Sequence, residues 1–275
     1  MTIPIPTLHL FPELDKKLIE LLRSLHADDW NKPTLARKWV VKDIAAHLLD
    51  GNLRTISQMR DQYFGDPPGT IHSYQDLVDY LNRLNADFVQ VAKRLSPALL
   101  TDLLESTGPL YVEQLRKLDP FKPAMFAVSW AGQSESPNWF HIAREYTEKW
   151  HHQQQIRDAV GKHGIMTKEF FAPLIETFMQ ALPHAYRNTA APDGTCVQVV
   201  VSTEVGNAWQ IVRTENAWNF SDGKRTSHTT ITLDPDTAWK LFTKGLPAEE
   251  ARKKIQVTGD VALSQPVFSM LAVMA

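Results

Sequence analysis

The sequence predicts an antiparallel four-helix bundle followed by a small α+β domain. Three observations carry this. Apolar residues recur at three- and four-residue spacing through the first two thirds of the chain, the signature of helices with one buried face. After APDG (191–194), short β-branched and aromatic runs take over. No internal repeat or low-complexity tract interrupts either part. The boundary is placed after residue 190, giving domains 1–190 and 191–275.

Each element has a local reason. Leu14, Leu18, Leu22 and Leu25 make one stripe over 13–25. A second helix is expected over 41–62, with Val40, Ile44, Leu48 and Gly51 sharing a face, and GDPPGT (65–70) is a loop. Ser73 with Asp76 forms a capping box. Leu77, Leu81, Leu84, Phe88, Val91 and Leu95 then repeat to Pro97. ALLTDLLES reads as a short helix, and Gly108 to Pro137, with four prolines, as irregular. A long helix is expected from Asn138, read as its N-cap, to Gly161, its stop. The last bundle helix falls at 167–189. Beyond it, CVQVVVS, WQIVRT, WNF, HTTITL and KKIQVTG read as strands. DPDTAWKLFTKG reads as a helix, and DVALSQPVFSMLAVMA as a terminal helix despite Pro266.

Composition narrows the functions. With 29 Lys+Arg against 31 Asp+Glu the formal charge is −2, which provides no electrostatic grip on nucleic acid or an anionic membrane. No Gly-rich phosphate loop occurs. One cysteine, Cys196, is too few for a disulfide framework or a cysteine zinc cage, and it reads as an inert core residue. No run approaches the ~18 apolar residues of a membrane span, and the amino terminus lacks a secretory pattern. The expectation is a soluble, cytoplasmic protein without nucleic-acid or membrane partners.

The unusual segment is FHIAREYTEKWHHQQQIRDAVG (140–161). At about 100° per residue, His141, Glu145, Glu148, His152 and Gln155 share one narrow stripe. Glu148 and His152 stand one turn apart, able to converge on one cation. His47 in DIAAHLL lies beside Ile44 and Leu48 on the second helix. A buried imidazole there needs a partner. Together the three make a His₂Glu set with a position left for water or substrate, the pattern of an open zinc site. Other divalent ions suit the same donors. His151 or Glu145 can replace one member, and the solvated-face reading of an i, i+4 Glu–His pair stays open.

Two segments together resemble a known family. ADDWNKPTLARKWVVKDIAAHLLDGNLR (27–54) is similar to the opening of the mycothiol-dependent maleylpyruvate isomerase family. REYTEKWHHQQQIRDA (144–159) is similar to its second motif, Glu-x-Trp-x-His followed by Ile-Arg. The resemblance implies a DinB-like bundle whose metal ligands fall on His47, Glu148 and His152, and a sterol-carrier-like C-terminal domain. It implies a low-molecular-weight thiol cofactor (mycothiol, bacillithiol or glutathione) and a small electrophile as substrate. His141, Glu145 and Gln155 are the candidates to orient ligands or move a proton. The family's late arginine has no counterpart, because no Lys or Arg follows Lys254. Arg213, Arg225 and Arg252 are the available stand-ins, which separates this chain from maleylpyruvate itself.

The implied activity is S-transfer to, or cis–trans isomerisation of, a small electrophile. The alternatives are a zinc hydrolase using metal-bound water, and a non-catalytic protein holding an apolar ligand in residues 195–275. Nothing in the sequence sets the oligomeric state.

Overall fold

A computed structural model describes residues 1–274. The chain divides into two compact units, one of Met1–Pro123 with Pro137–Ile165, the other of Ala124–Ser136 with Met166–Ala275.

The first unit holds five helices: α1 (Phe11–Arg23), α2 (Val41–Arg60), α3 (Tyr74–Ala92), α4 (Pro97–Arg116) and α5 (Asn138–Val160). Helix α2 packs on α3, α4 and α5, while α1 packs on α4 and α5. Their apolar stripes meet in one core that includes Leu18, Leu22, Ile44, Leu48, Leu100, Leu104 and Ile156. The capping box forms as expected, with Ser73 accepting from the Asp76 amide and Asp76 from the Ser73 amide.

Helix α4 corrects the reading of Gly108–Pro137 as irregular throughout. Ser96 caps it by accepting from the Leu99 amide, and Pro97 fits its first turn. Its interior Pro109 lies on the exposed side together with Glu105, so the carbonyl that the proline leaves without a donor can reach water. Gly108 faces the Asp15 carboxylate, where a Cβ would press within 3.0 Å of Oδ2. Asn138 is not the N-cap of α5. Pro137 holds that place, and the Asn138 side-chain Nδ2 donates to the Asp119 carbonyl at 2.8 Å. Gly161 ends the helix in the left-handed conformation, as expected.

In the second unit, α6 (Lys168–Met179) and α7 (Leu182–Ala185) precede β1 (Cys196–Val201), β2 (Ala208–Thr214), β3 (Ala217–Phe220) and β4 (Thr229–Leu233). There follow α8 (Pro235–Phe242), α9 (Ala248–Arg252), β5 (Gln256–Gly259) and α10 (Gln265–Ser269). The sheet order is β3-β2-β1-β4-β5. Strands β1 and β4 run parallel, with Val199 opposite Ile231, and the other pairs are antiparallel. The expected boundary after residue 190 therefore moves: the helix read as the last of the bundle groups with the sheet. The Trp209 indole donates to Glu176 of α6 at 2.9 Å, and the Tyr186 hydroxyl donates to the Leu263 carbonyl at 2.6 Å. The expected terminal helix shortens to a 3-10 turn (Val261–Ser264) and α10. Pro266 sits at its start, and the Ala272 amide bonds the Phe242 carbonyl. The last residue of that expected helix, Ala275, lies outside the described residues.

Gly259 closes β5 with φ +89°, and a Cβ there would collide with the His228 carbonyl oxygen. Gly161 is also left-handed but has open space around it. Gly161→Ala is expected to lose only the left-handed penalty, about 1–2 kcal/mol. Gly259→Ala should lose about 1–3 kcal/mol more through the added clash. Urea unfolding of the two variants beside the parent checks the ordering.

Candidate metal centre

Helix α5 is buried along its length, and from Lys149 to Arg157 every residue is buried. Polar groups therefore enter the bundle, where each needs a partner. Glu148 and His152 stand one turn apart, with Oε2 and Nε2 at 3.5 Å. His152 Nδ1 lies 2.9 Å from Gln155 Oε1. As the amide oxygen only accepts, Nδ1 carries the proton and Nε2 keeps its lone pair. His151, whose Nδ1 meets the Thr147 carbonyl at 2.8 Å, lies against His152 with ring centroids 4.0 Å apart and planes tilted by 38°.

His47 comes from α2, and the preceding loop explains its setting. Asp43 accepts the Val40 amide at 3.1 Å and so fixes the helix start at Val41, nearly two turns before His47. The Thr34 amide and hydroxyl both donate to the Trp39 carbonyl, at 3.2 and 2.7 Å. That loop lays the Trp39 ring 4.9 Å from His47 and 6.1 Å from His152. The Pro-Thr…Trp…Asp-(x)₃-His pattern is thus a device for packing an indole over two imidazoles.

One ligand atom each from His47, Glu148 and His152 lies within 4.8 Å of the others. The rings of His47 and His152 are 4.6 Å apart. His47 Nδ1 is enclosed and has no hydrogen-bond partner, a costly state for a ring nitrogen unless something other than protein supplies the missing interaction. Two imidazoles, a carboxylate and an orphaned nitrogen fit a divalent metal.

The electrostatics agree. Burial first, then neighbouring His152, hold the His47 imidazole well below its ordinary pKa, so it stays neutral and able to coordinate. His151 falls to about 4 for the same reasons. Burial opposes the Glu148 charge more than any single neighbour favours it, yet His151, His152 and His47 together hold the carboxyl far below its usual range.

The remaining candidates divide. Gln155 touches a ligand directly, through His152. Glu145 accepts from the Tyr111 hydroxyl at 2.7 Å and from Arg144 at 2.6 Å. His141 meets Arg144 at 2.8 Å through Nδ1, and burial and Arg144 lower it to about 4. Tyr111 and Arg144 escaped the sequence reading because Tyr111 lay in the segment taken as irregular, where no face could be assigned. Trp39 stood within the segment 27–54 that resembles the family, with no role assigned to it.

A second buried cluster ties the ligand helices together. The Lys149 ammonium, one residue past Glu148, donates to Asp15 of α1 at 2.9 Å and to Asn52 of α2 at 3.0 Å. It also lies 4.6 Å from the Tyr111 ring centroid. The Asn52 amide donates in turn to Thr107 of α4.

The fold and the site define a class, a helical bundle with a metal-type His₂Glu donor set between two of its helices. The model of the mycothiol maleylpyruvate isomerase N-terminal domain matches residues 11–157, and the chain belongs to that family. Crystal structures of the mycothiol-dependent maleylpyruvate isomerase and of a histidine-to-alanine mutant of it share the fold. Both have a TM-score of 0.56, with 11% and 10% identity over 92% of each chain. A solved structure described as a UbiJ-SCP2 ubiquinone synthesis protein aligns with 39% of this chain and 95% of its own, at 18% identity and a TM-score of 0.25. That is too loose to carry weight. No curated protein matches by sequence.

Two outcomes are expected. His47→Ala, Glu148→Ala and His152→Ala should each abolish stoichiometric divalent-metal binding. Gln155→Ala should weaken it about 10- to 100-fold, the usual effect of losing a ligand's orienting partner; titration calorimetry reads both. Lys149→Met strands Asp15 in the bundle and should cost about 3 kcal/mol of stability. Lys149→Met combined with Asp15→Leu should recover much of it, as chemical denaturation will show.

Proposed function

We propose that the chain is a zinc-dependent enzyme that uses a low-molecular-weight thiol for S-transfer to, or cis–trans isomerisation of, a small electrophile. The observation that carries this is the convergence of His47, Glu148 and His152 with an orphaned ring nitrogen in a chain of the maleylpyruvate isomerase family. Zinc held by these three residues would supply a Lewis acid that lowers the pKa of a bound thiol to near neutrality.

The chain's own residues do the rest. Neutral His47 and charged Glu148 need shed no proton to serve as ligands at pH 7. Gln155 fixes the His152 tautomer, and Trp39 covers one side of both imidazoles and keeps water off them. Glu145, with Tyr111 and Arg144 on its two oxygens, has little free capacity as a base, and its part is to hold fixed negative charge near the centre. His141, neutral at pH 7, is our candidate to take or return a proton. The thiol comes from outside, since the only cysteine, Cys196, is buried on β1 with its thiol pushed up by burial. Mycothiol, bacillithiol and glutathione all satisfy the chemistry, and a reducing cytoplasm is the setting in which they persist.

The test is a conjugation and isomerisation screen with those thiols on zinc-loaded protein. Turnover that requires thiol and falls at least about 100-fold in His47→Ala supports the reading. Turnover without thiol replaces it with metal-assisted hydrolysis.

A further inference from the structure

A cleft of about 370 Å³ lies along α2 and α3, within the range of small-molecule sites. Tyr63 and Phe64 line one side, 67% and 47% exposed, on a stretch turned by left-handed backbone at Gln62 and Gly65. Tyr80 and Phe88 of α3 line another. Large aromatic side chains left this open to solvent are complementary to flat rings, which stack on them in offset or edge geometry.

Asp50, Arg54, Ser57 and Gln58 of α2 supply much of the polar lining, with Asp66 and Asp87 beside them. Arg54 Nε is 2.9 Å from Asp50 Oδ2, although neither atom has an aligned hydrogen bond. Arg54 Nη2 donates to Asn85 at 3.1 Å. Nη1 has no partner among the described residues and is not enclosed, which leaves its donors for a ligand. The Arg54 charge is already matched by Asp50. The other carboxylates of the cleft, Asp66 and Asp87, share one cation, Arg83, at 2.8 and 3.6 Å. Three carboxylates against two guanidiniums leave no surplus positive charge, and an anion would meet net repulsion. His47 lies two helical turns before Arg54 on the same side of α2, and the Arg54 charge is felt at its ring.

We propose that this cleft binds a neutral, ring-bearing small molecule, with the ring against Tyr63, Phe64 and Tyr80 and a carbonyl or hydroxyl oxygen accepting from Arg54 Nη1. Under the thiol-transfer reading, on which this assignment rests, the cleft names the class of electrophile: uncharged and cyclic, rather than a small dicarboxylate. Binding itself needs neither metal nor thiol, so the two readings fail separately.

The test uses benzamide as probe and benzoate as its anionic twin, followed by saturation-transfer NMR on the full-length protein. Benzamide should bind the parent. It should bind at least about tenfold more weakly to Arg54→Leu and to the double variant Tyr63→Ala/Phe64→Ala, a loss of about 1.4 kcal/mol. The double variant changes only exposed side chains and should keep the parent's metal content, so its result stands even if Arg54→Leu fails to fold. In His47→Ala protein, where the metal no longer attracts carboxylates, benzamide should still bind and benzoate should bind less. No benzamide binding to the parent, binding unchanged in the double variant, or tighter binding of benzoate in His47→Ala each overturns the proposal. A parent protein that binds benzamide but no metal overturns the thiol-transfer reading and leaves the cleft in place.

Discussion

Burying both the apolar and the polar sides of α5 is the constraint on which the rest of the first unit depends. A helix enclosed from Lys149 to Arg157 cannot leave its charged and amide groups to water, and unpaired they would cost several kcal/mol each. Every neighbouring helix therefore contributes a partner. Asp15 of α1 and Asn52 of α2 receive Lys149, and Tyr111 of α4 reaches Glu145. His47 of α2 comes to Glu148 and His152. The candidate metal site is one member of a set of buried polar pairings, and it is the one in which a ring nitrogen, His47 Nδ1, is left without a partner.

The pairings also set geometry. Lys149 binds α5 to α1 and α2 one residue past Glu148, and Asn52 lies five residues beyond His47. One ammonium thus fixes the separation of the two helices that supply the ligands. At the other end of the site, Asp43 sets where α2 begins and Thr34 places Trp39 over the imidazoles. Rigid helices, with the second ring nitrogen of His152 held by Gln155, give the precision that metal sites require.

Much of this was legible in the sequence, for physical reasons. Helical periodicity revealed α1, α2, α3 and α5 because each has one apolar face, and the strands showed in their β-branched runs. The convergence of His47, Glu148 and His152 was legible only in part: spacing on α5 left His151 and Glu145 open as members, and the family resemblance narrowed the set to these three. Helix α4 was hidden by Pro109, whose disruption is absorbed on the solvent side. The grouping of α6 with the sheet was not legible either. It depends on tertiary partners, such as Trp209 for Glu176, that no local pattern announces. The polar stripe of α5 misled in a milder way: residues of that type usually face water, and only packing on all sides shows that here they do not.

The central claim is that two imidazoles and one carboxylate hold one divalent ion with a place left for an incoming sulfur. Zinc-edge X-ray absorption on the loaded protein, with and without added thiol, tests it most directly. The account predicts nitrogen and oxygen neighbours at about 2.0–2.2 Å, with a sulfur neighbour at about 2.3 Å appearing when thiol is added. Zinc surrounded by a full water sphere, or a spectrum indifferent to thiol, would contradict it.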